Sequence, residues 1–508
     1  MVLSLQEYRN SVMGCWMGKN IGGTLGAPME WHRKVNDVSF YQQELDGNPL
    51  PNDDLDIQLL WLVALEEQGV HINARTMGDY WMNYVTPHWA EYGNAKANMK
   101  AGMPPPLSGT ANNPFKDSCG CYIRSEIWAC IAPGSPHRAA RFAYEDAIID
   151  HGNGEGVYGE IFCAALESAA FVEKDINNLI DIGLSYIPKD CDVAKAIKLV
   201  RKLHKKGKPW LETRDEIIRN FCGGFHFSVS EDDIKKGFGE GKVGWEVPSN
   251  VAIVVLGLLY GEGDFSKTLC ITVNCGEDTD CTAATVGAML GIIQGYGQLP
   301  EEWIKPIGSS IKTLCLNLGE IGWAIPQDIN NLSQRVEKIA NQVIAGHKLQ
   351  VQLSPDQPAN YKTSMKSDLH ADDKTKAIYN YSNGTLHSFD FFDIYVDYGA
   401  EGAVISKDGS KKIRLVLRNT YRIPEMLRIS WYLADGFQVT PASTLWVHVP
   451  HDYTHFMPTE YFNGTKEVEF ELKTNTAAQA ANRFVIEVII EGKASVMLVP
   501  VVLLSEVR

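Results

Sequence analysis

The spacing of apolar residues predicts a helical region over most of the chain. Apolar positions recur with a period of about 3.6 residues, which is typical of amphipathic helices. The period is clear in DIQLLWLVALEEQG, in GEIFCAALESAAFVEK and in LSQRVEKIANQVIAGHK, which ends at Lys348. Small residues recur inside several of these segments, and they favour close packing of helices in a compact bundle. We therefore predict an all-helical domain over residues 1–348.

The pattern changes beyond residue 348. Residues 349–385 include KTSMKSDLHADDKTK, which is polar and poor in large apolar groups, so we interpret them as a linker and surface segment. From residue 386 apolar and polar residues alternate, as in KKIRLVLRNT and RFVIEVIIEG, and this period predicts β-strands. About seven such segments favour a β-sandwich over residues 386–508. The predicted fold class is mostly α, with a helical domain followed by a smaller all-β sandwich domain.

The composition narrows the classes of partner. The formal net charge is −15, from 47 basic and 62 acidic residues, and this argues against nucleic-acid binding, which usually needs a basic patch. No apolar run reaches the roughly 18 residues of a membrane span, and the N-terminal residues lack the pattern of a signal peptide. The 11 cysteines are odd in number and scattered, so we expect reduced thiols in a cytoplasmic protein.

The most informative residues lie in two acidic turns, each directly before a helix. GEDTDC contains Asp278 and Asp280, and PNDDLD contains Asp53, Asp54 and Asp56. Carboxylate oxygens are preferred ligands of hard divalent cations. Without a cation, carboxylates held close together repel one another and their pKa values rise. The alternative is helix N-capping, which favours aspartate. The presence of two such turns favours a metal site.

Two further segments offer ligand contacts. The glycine-rich stretch GKNIGGTLGAPMEW allows close packing or a tight approach to a ligand, and its Glu30 either faces that ligand or lies exposed. Residues 81–120 are predicted to form a long loop whose aromatic side chains either wall a ligand site or cover the core. These aromatic residues are Trp81, Tyr84, Trp89 and Tyr92.

Isolated polar and aromatic residues are weaker candidates. Arg124 is a candidate anion contact, with a surface salt bridge as the alternative. His151 lies in DHGNGEG, and a single histidine is more often structural than catalytic. In the β-domain, aromatic side chains either line a sugar-binding face or fill the core of the sandwich. These are Trp431, Trp446, Tyr453 and Tyr461.

Taken in order, these elements resemble the motifs of the ADP-ribosylglycohydrolase family, which includes dinitrogenase-reductase-activating glycohydrolase and crystallin J1. The resemblance covers residues 8 to about 345. The family's G-D-x-x-G-A-x-x-E motif is similar to GGTLGAPMEW. Its two acidic motifs, T-D-D-T and G-G-D-T-D-T, are similar to Asn52–Leu55 and to Gly276–Cys281. Its G-x-x-x-R segment is similar to Gly120–Arg124, and its T-H segment is similar to Asp150–His151. The ordered set is specific, whereas any one motif is weak.

The resemblance implies a metal-dependent glycosidase that cleaves an N- or O-glycosidic bond at ribose in an ADP-ribosyl or related small molecule. It implies one or two Mg²⁺ ions, with Mn²⁺ or Ca²⁺ as alternatives. The implied catalytic residues are Glu30 and Asp54, and the implied substrate-binding residues are Gly120, Arg124 and His151. The implied metal-binding positions are Asn52, Asp53, Asp54, Asp278, Asp280 and Cys281. Neither nucleic acid nor membrane is an expected partner, and a homo-oligomer is left open.

The chain departs from the family pattern at several positions. Asn52 and Leu55 replace threonines, Gly23 replaces an acidic residue, and Cys281 stands where a threonine is expected. A thiol is a softer ligand than a hydroxyl, so the site offers fewer hard oxygens and one metal is plausible. We expect Asp56 to compensate for the lost charge if its turn permits.

The departures keep two other functions open. The motif segments lack a cluster of basic residues for a pyrophosphate, so a glycosidase acting on a non-nucleotide furanoside or other carbohydrate is the second interpretation. The third is a catalytically silent relative that binds a ligand. The retained aspartates argue against a silent protein, and the lost threonines argue for it.

Overall fold

The structure is a computed structural model, and it describes residues 1–221, 228–239, 246–355, 368–406, 409–421, 423–451, 464–474 and 479–506. The chain divides into two compact units. The helical unit comprises Met1–Gly93 and Asn113–Ile378, and the strand unit comprises Asn94–Asn112 and Tyr379–Arg508. The predicted combination of helical and all-β regions is confirmed.

Helices make up most of residues 1–346. Their bounds are α1 Leu5–Gly26, α2 Asp53–Gln68, α3 Ala74–Tyr84, α4 Ala90–Lys100, α5 Leu107–Thr110, α6 Glu126–Ile131, α7 Pro136–Ala147, α8 Glu155–Ala170, α9 Ile176–Ser185, α10 Asp192–Lys205, α11 Trp210–Phe221, α12 Glu231–Lys235, α13 Val247–Tyr260, α14 Phe265–Asn274, α15 Thr279–Gln294, α16 Glu301–Ile304, α17 Leu318–Ile321 and α18 Ile329–Gly346. Helix α19, Asp373–Lys376, follows in the predicted linker. None of the helices in the described residues is both long and apolar enough to span a membrane.

Side-chain caps fix where several helices begin. Ser4 accepts a hydrogen bond from the Glu7 amide at the start of α1, and Asp328 accepts one from the Asn331 amide at the start of α18. Such caps satisfy backbone N–H groups that have no partner inside the helix. Asp328 therefore fixes the start of the last long helix at Ile329, three residues before Leu332, where the apolar pattern alone would begin it.

Helices α1 and α15 pack with their backbones in contact. A Cβ atom built on Gly18 would lie 2.0 Å from the Gly287 carbonyl oxygen, and one on Gly22 would lie 2.0 Å from the Ala283 carbonyl oxygen. The facing pairs run antiparallel: Gly14 with Gly291, Gly18 with Gly287, Gly22 with Ala283, and Gly26 with Thr279. The prediction of close helix packing through small residues is confirmed. The antiparallel contact brings the end of α1 to the start of α15.

The strand unit is a sandwich of two five-stranded sheets. Its strands are β5 Gly384–Ser388, β6 Phe392–Asp397, β7 Val404–Ile405, β8 Ser410–Asn419, β9 Glu425–Tyr432, β10 Phe437–Thr440, β11 Thr444–Val449, β12 Thr465–Thr474, β13 Ala481–Ile490 and β14 Val496–Ser505. One sheet has the order β10-β12-β8-β6-β5 and the other β11-β9-β13-β14-β7. Alternate residues of both sheets share one apolar core.

Four short strands belong to residues 1–355. They are β1 Val2–Ser4, β2 His32–Arg33, β3 Ser228–Val229 and β4 Gln352–Ser354. Strand β1 pairs in parallel with β4, so the start of the predicted linker is ordered against the N-terminus. Residues 356–367 of that linker lie outside the described residues.

The strand unit also contains the segment Asn94–Asn112, which lies far from it in sequence. Met103 and Leu107 are buried within the apolar core of the sandwich. The Arg483 side chain donates hydrogen bonds to the carbonyl oxygens of Lys100 and Ala101, at 3.3 and 3.2 Å. The strand pattern that begins at residue 386 gives no sign of this contribution.

The aromatic candidates of the β-domain divide between its core and its surface. Trp431 is buried in the core of the sandwich, whereas the side chain of Trp446 is 62% exposed. Tyr453 and Tyr461 lie outside the described residues. The ten cysteines within the described residues are free thiols.

Candidate metal and active site

The two predicted acidic turns lie close together in the folded chain. Ligand atoms of Asp54, Asp280 and Cys281 lie within 4.8 Å of one another, and so do those of Glu30, Asp278 and Asp280. Asp280 belongs to both groups. We call the five carboxylates of this region the acidic cluster: Glu30, Asp53, Asp54, Asp278 and Asp280.

Helix starts and the α1–α15 contact position these carboxylates. Asp53 and Asp54 open α2, Asp278 directly precedes α15, and Glu30 follows the end of α1. Asn52 joins the two turns, because its Oδ1 accepts from the Asp54 amide at 2.7 Å while its Nδ2 donates to Asp280 Oδ2 at 3.3 Å. The cluster is thus assembled by residues far apart in sequence.

Helix capping does not explain the aspartates of the cluster. Asn52 supplies the capping oxygen of α2. Asp278 occupies the N-cap position of α15, yet its side chain makes no capping hydrogen bond. The capping interpretation of the two turns is therefore wrong for Asp54 and Asp278, whose side chains are available to a ligand.

Burial and mutual repulsion shift the acidity of the cluster. Burial, together with the charges of Asp280 and Asp278, raises the pKa of Glu30 to about 11. Burial and the nearby Asp280 raise the pKa of Asp53 to about 6, and they raise the pKa of Asp54 well above its usual value. These pKa shifts are those expected of carboxylates crowded together without a neutralising charge.

Several carboxylate oxygens of the cluster lack hydrogen-bond partners. Within the described residues, the buried atoms Asp54 Oδ2, Asp278 Oδ1 and Asp280 Oδ1 have none. An unpartnered buried oxygen is costly, and hard divalent cations coordinate such oxygens. The donor set therefore fits Mg²⁺ or a similar ion, with Cys281 as a softer neighbour.

The residues that depart from the family pattern have defined places. Cys281 Sγ donates to Asp54 Oδ1 at 3.3 Å, so the thiol lies in the cluster. Asp56 belongs to neither ligand group, and its Oδ2 accepts from the backbone amides of Leu314 and Cys315. Whether Asp56 compensates for the lost charge stays a prediction: one of its oxygens faces the backbone, while Asp56 Oδ1 has no hydrogen-bond partner in the described residues.

A pocket of about 120 Å³ adjoins the acidic cluster. Its lining residues are Glu30, Trp31, Asp53, Trp89, Ala90, Glu91, Tyr92, Phe115, Cys119, Gly120, Ile123, Asp278 and Cys281. None of these described lining residues is basic. Aromatic walls of this kind bind apolar ring faces and exclude water.

Residues 81–120 form part of this pocket, although they are not one long loop as predicted. Helix α4 begins at Ala90, and Trp89 and Tyr92 line the pocket, with the Tyr92 hydroxyl donating to Asp53 Oδ2 at 3.2 Å. Trp81 is instead buried, with its ring 5.1 Å from that of Tyr92. Trp89 and Tyr92 therefore form part of a pocket wall, and Trp81 packs in the core.

Arg124 and His151 are buried and are not among the lining residues of the pocket. The Arg124 guanidinium donates to Asp146 and Asp150, and to the Gly120 carbonyl oxygen at 2.6 Å. His151 Nδ1 lies 2.9 Å from Asp150 Oδ1. Burial opposes the ionisation of Asp150, but the charges and hydrogen bonds of Arg124 and His151 together outweigh it and lower the pKa of Asp150 to about 2. We call Arg124, Asp146, Asp150 and His151 the Arg124 network.

Gly120 and Glu91 meet at the wall of the pocket. A Cβ atom at Gly120 would lie 1.9 Å from Glu91 Oε1, so a side chain there would displace the glutamate. Glu91 is buried and lines the pocket, and sequence analysis did not single it out. Its only signal is its place two residues after Trp89, in the aromatic segment.

The fold and the site together define the class of protein: a helical unit that carries paired acidic turns beside a pocket. Comparison with known families gives the class its name. The sequence profile of the ADP-ribosylglycohydrolase family matches residues 4–337. The chain therefore belongs to the ADP-ribosylglycohydrolase family, and this supports a glycohydrolase-like function.

Other comparisons add nothing to this assignment. No curated protein matches the chain. A FixG-related protein from Vibrio parahaemolyticus is 8% identical, covers 23% of this chain and 95% of its own, and has a TM-score of 0.16. The alkylpurine DNA glycosylase AlkC from Pseudomonas fluorescens is 13% identical, covers 75% of this chain and 97% of its own, and has a TM-score of 0.14. At these TM-scores the likenesses carry no argument about fold or function.

Proposed function

We propose that the chain is a glycosidase dependent on a divalent cation, which cleaves an N- or O-glycosidic bond at ribose in an ADP-ribosyl or related compound. The observation that carries the proposal is the acidic cluster, whose unpartnered buried oxygens adjoin a pocket with aromatic walls. Membership of the ADP-ribosylglycohydrolase family supports the reaction class.

The residues that would hold the cation are Asp53, Asp54, Asp278 and Asp280, with Glu30 beside them. The two ligand groups share Asp280, which is consistent with either one or two ions. Mg²⁺ bound there supplies positive charge that neutralises the carboxylates and polarises a sugar hydroxyl and a water. Asn52 keeps the two turns in register through its two hydrogen bonds.

The side chains of the pocket have distinct tasks in hydrolysis. Trp31, Trp89 and Phe115 line the space in which the sugar and its substituent bind, and they exclude bulk water. Glu30 lines the same space; with the cation bound, its carboxyl group would be ionised and would accept a proton from the attacking water. The water oxygen forms a bond to the anomeric carbon, while the bond from that carbon to the leaving atom breaks and the leaving atom takes the electron pair.

A non-nucleotide furanoside is the second candidate substrate, and a specific observation favours it. The described lining residues of the pocket include carboxylates and aromatic rings but no lysine, arginine or histidine. Recognition of a pyrophosphate usually requires cationic or N–H donors. An uncharged glycoside places no such requirement on the pocket.

Metal counting and substrate hydrolysis test the proposal together. Native mass spectrometry with Mg²⁺ counts bound ions, and hydrolysis is followed for an ADP-ribosylated peptide and for uncharged ribofuranosides, with and without a chelator. Asp280→Asn is the test variant. Asp264→Asn is the matched control, because Asp264 also precedes a helix but caps α14 by accepting from the Lys267 amide.

We expect bound Mg²⁺ and chelator-sensitive hydrolysis in the wild type and in Asp264→Asn, and the loss of both in Asp280→Asn. Hydrolysis of the uncharged glycoside alone would identify the second candidate substrate. Metal binding without hydrolysis of any glycoside would support the catalytically silent protein instead. Chelator-resistant hydrolysis that survives in Asp280→Asn would refute the role of the acidic cluster.

A further inference from the structure

Glu91 is a buried carboxyl group in the pocket wall that the mechanism has not yet used. It is 4% exposed, and its Oε2 atom has no hydrogen-bond partner among the described residues. It belongs to neither ligand group of the acidic cluster. Asp53 is also in neither group, but it opens α2 in one of the two acidic turns, whereas Glu91 lies outside both turns and is not counted among the residues that would hold the cation.

A chain of polar contacts leads from Glu91 into the core. The Ser118 side chain hydrogen-bonds to the Glu91 carboxyl, and Ser118 Oγ lies 3.2 Å from His151 Nε2. His151 Nδ1 in turn lies 2.9 Å from Asp150 Oδ1, and Asp150 is held by Arg124. The residues of the Arg124 network do not line the pocket, but the network reaches the pocket wall at Gly120 and, through His151 and Ser118, at Glu91.

Neighbouring residues restrict where the Glu91 carboxyl can lie. The absence of a side chain at Gly120 leaves the space that Glu91 Oε1 occupies. The absence of a side chain at Gly156 likewise leaves space for the His151 ring, because a Cβ atom there would lie 2.1 Å from His151 Cδ2. The two glycines therefore leave space for Glu91 and His151, the two residues that Ser118 connects.

The chemistry of hydrolysis requires a proton donor that the acidic cluster does not provide. Carboxylates that hold a cation must be ionised, so they have no proton to give. The Tyr92 hydroxyl donates to Asp53. Among the described lining residues, Glu91 is the carboxyl outside both ligand groups and away from the two acidic turns.

We propose that Glu91 is the catalytic residue that protonates the leaving group, and that Ser118 and His151 are positioning residues that hold its carboxyl in the pocket wall. This inference rests on the proposed hydrolase function. Burial raises the pKa of Glu91, although the neighbouring His151 acts in the opposite direction.

The step balances as an acid-assisted displacement. The bond between the anomeric carbon and the leaving oxygen or nitrogen breaks, and the leaving atom takes the electron pair and the Glu91 proton. The water oxygen bonds to the anomeric carbon and gives its proton to Glu30. Exchange with solvent then returns a proton to Glu91 and removes one from Glu30, so no oxidant or second substrate is required.

Glu91→Gln tests the inference through its dependence on the leaving group. Glutamine keeps the size of the side chain but cannot donate the acidic proton. Against a ribofuranoside with a poor, alkyl leaving group, kcat should fall by about 10²- to 10⁴-fold, which is the usual contribution of general acid catalysis. Against a nitrophenyl ribofuranoside, whose leaving group departs without a proton, kcat should change by less than about tenfold.

Glu167→Gln is the matched control, because Glu167 is also a buried carboxyl with unpartnered oxygens and is not among the pocket-lining residues. Its kcat for both substrates should match that of the wild type. Mg²⁺ stoichiometry by native mass spectrometry should be the same in all three proteins. Ser118→Ala should show the same leaving-group selectivity as Glu91→Gln, with a smaller loss.

The possible results separate the two proposals. Suppose that Glu91→Gln binds Mg²⁺ and its kcat either falls equally for both substrates or falls for neither substrate. The role of Glu91 as proton donor is then overturned, while the hydrolase function stands. If the wild type hydrolyses neither substrate nor any ADP-ribosyl compound, the hydrolase function fails and the role of Glu91 falls with it. Selective loss on the poor leaving group alone supports both.

Discussion

Two of the groups of buried carboxylates in the helical unit, the Arg124 network and the acidic cluster, differ in the cation that faces them. In the Arg124 network, one guanidinium donates to Asp146 and Asp150. In the acidic cluster, Asp54, Asp278 and Asp280 each keep an oxygen without a partner in the described residues. The first group is paired with a cation of the protein itself, whereas the second has carboxylate oxygens available for a ligand of opposite charge.

The position of Lys19 sharpens this comparison. Its ammonium group is the nearby cation that lowers the pKa of Asp54, but burial and Asp280 together outweigh it. Lys19 Nζ donates to Glu126 Oε1 at 2.7 Å and to the Ile123 carbonyl oxygen. The charge of the buried lysine is thus paired with that of Glu126, so the acidic cluster keeps an excess of negative charge.

The largest expected effect comes from removing a carboxylate that both ligand groups share. Asp280→Ala should lower hydrolysis roughly a thousandfold, because a bound cation contributes several kcal/mol of charge stabilisation. In the presence of a chelator the same variant should unfold at a higher temperature than the wild type, because one repelling carboxylate is gone. Steady-state kinetics and thermal denaturation measure the two changes. A chelated variant less stable than the wild type would contradict the comparison.

Removing a carboxylate charge in the Arg124 network should have the opposite effect on stability. Asp150→Asn removes a charge that pairs with buried Arg124, and breaking such a pair costs about 3 kcal/mol. Chemical denaturation should show this loss with or without a chelator. If Asp150→Asn and Asp280→Ala shift the free energy of unfolding in the same direction, the two groups of carboxylates do not differ as described.

The gain in stability from Mg²⁺ should depend on pH. The pKa of Asp53 is raised to about 6, so without metal the folded state holds protons more tightly than the unfolded chain, and its stability falls as pH rises from about 4 through 6. Mg²⁺ displaces these protons. At a concentration 100-fold above its Kd it should stabilise the protein by about 2.7 kcal/mol at pH 8, and by less at pH 5. Thermal denaturation at both pH values, with Ca²⁺ in parallel, checks this; an equal gain at pH 5 and pH 8 would count against it.

The smallest expected effect concerns the thiol of the cluster. Cys281→Thr replaces a soft donor with a hydroxyl, so Mg²⁺ affinity should rise by roughly tenfold or less, about 1 kcal/mol, while affinity for Cd²⁺ falls. Isothermal titration calorimetry with both ions measures the change. Unchanged selectivity between Mg²⁺ and Cd²⁺ would place Cys281 Sγ outside the coordination sphere.

Local patterns in the sequence predict much of the fold and part of the site. The apolar periods predict the helical and strand regions, and the two acidic turns carry their own signal because each places at least two aspartates at the start of a helix. The partners of Asp56 and Arg124 are distant in sequence and cannot be predicted from local patterns. Asp56 accepts from the backbone amides of residues 314–315, and Arg124 donates to Asp146 and Asp150. Glu91 likewise acquires its place through Gly120 and Ser118, which the spacing of residues does not reveal.

The segment Asn94–Asn112 has a consequence for how the protein is made. The chain leaves the helical unit after Gly93 and returns at Asn113, and pocket residues flank both crossings, with Tyr92 before the segment and Phe115 after it. Met103 and Leu107 belong to a core whose other residues lie in residues 379–508. During synthesis, these two side chains therefore cannot be buried until the last strands have been made. A chain shortened near Ile378 would leave both side chains in water, at a cost of about 1.5–3 kcal/mol each, so the helical unit could not be excised as a simple N-terminal piece.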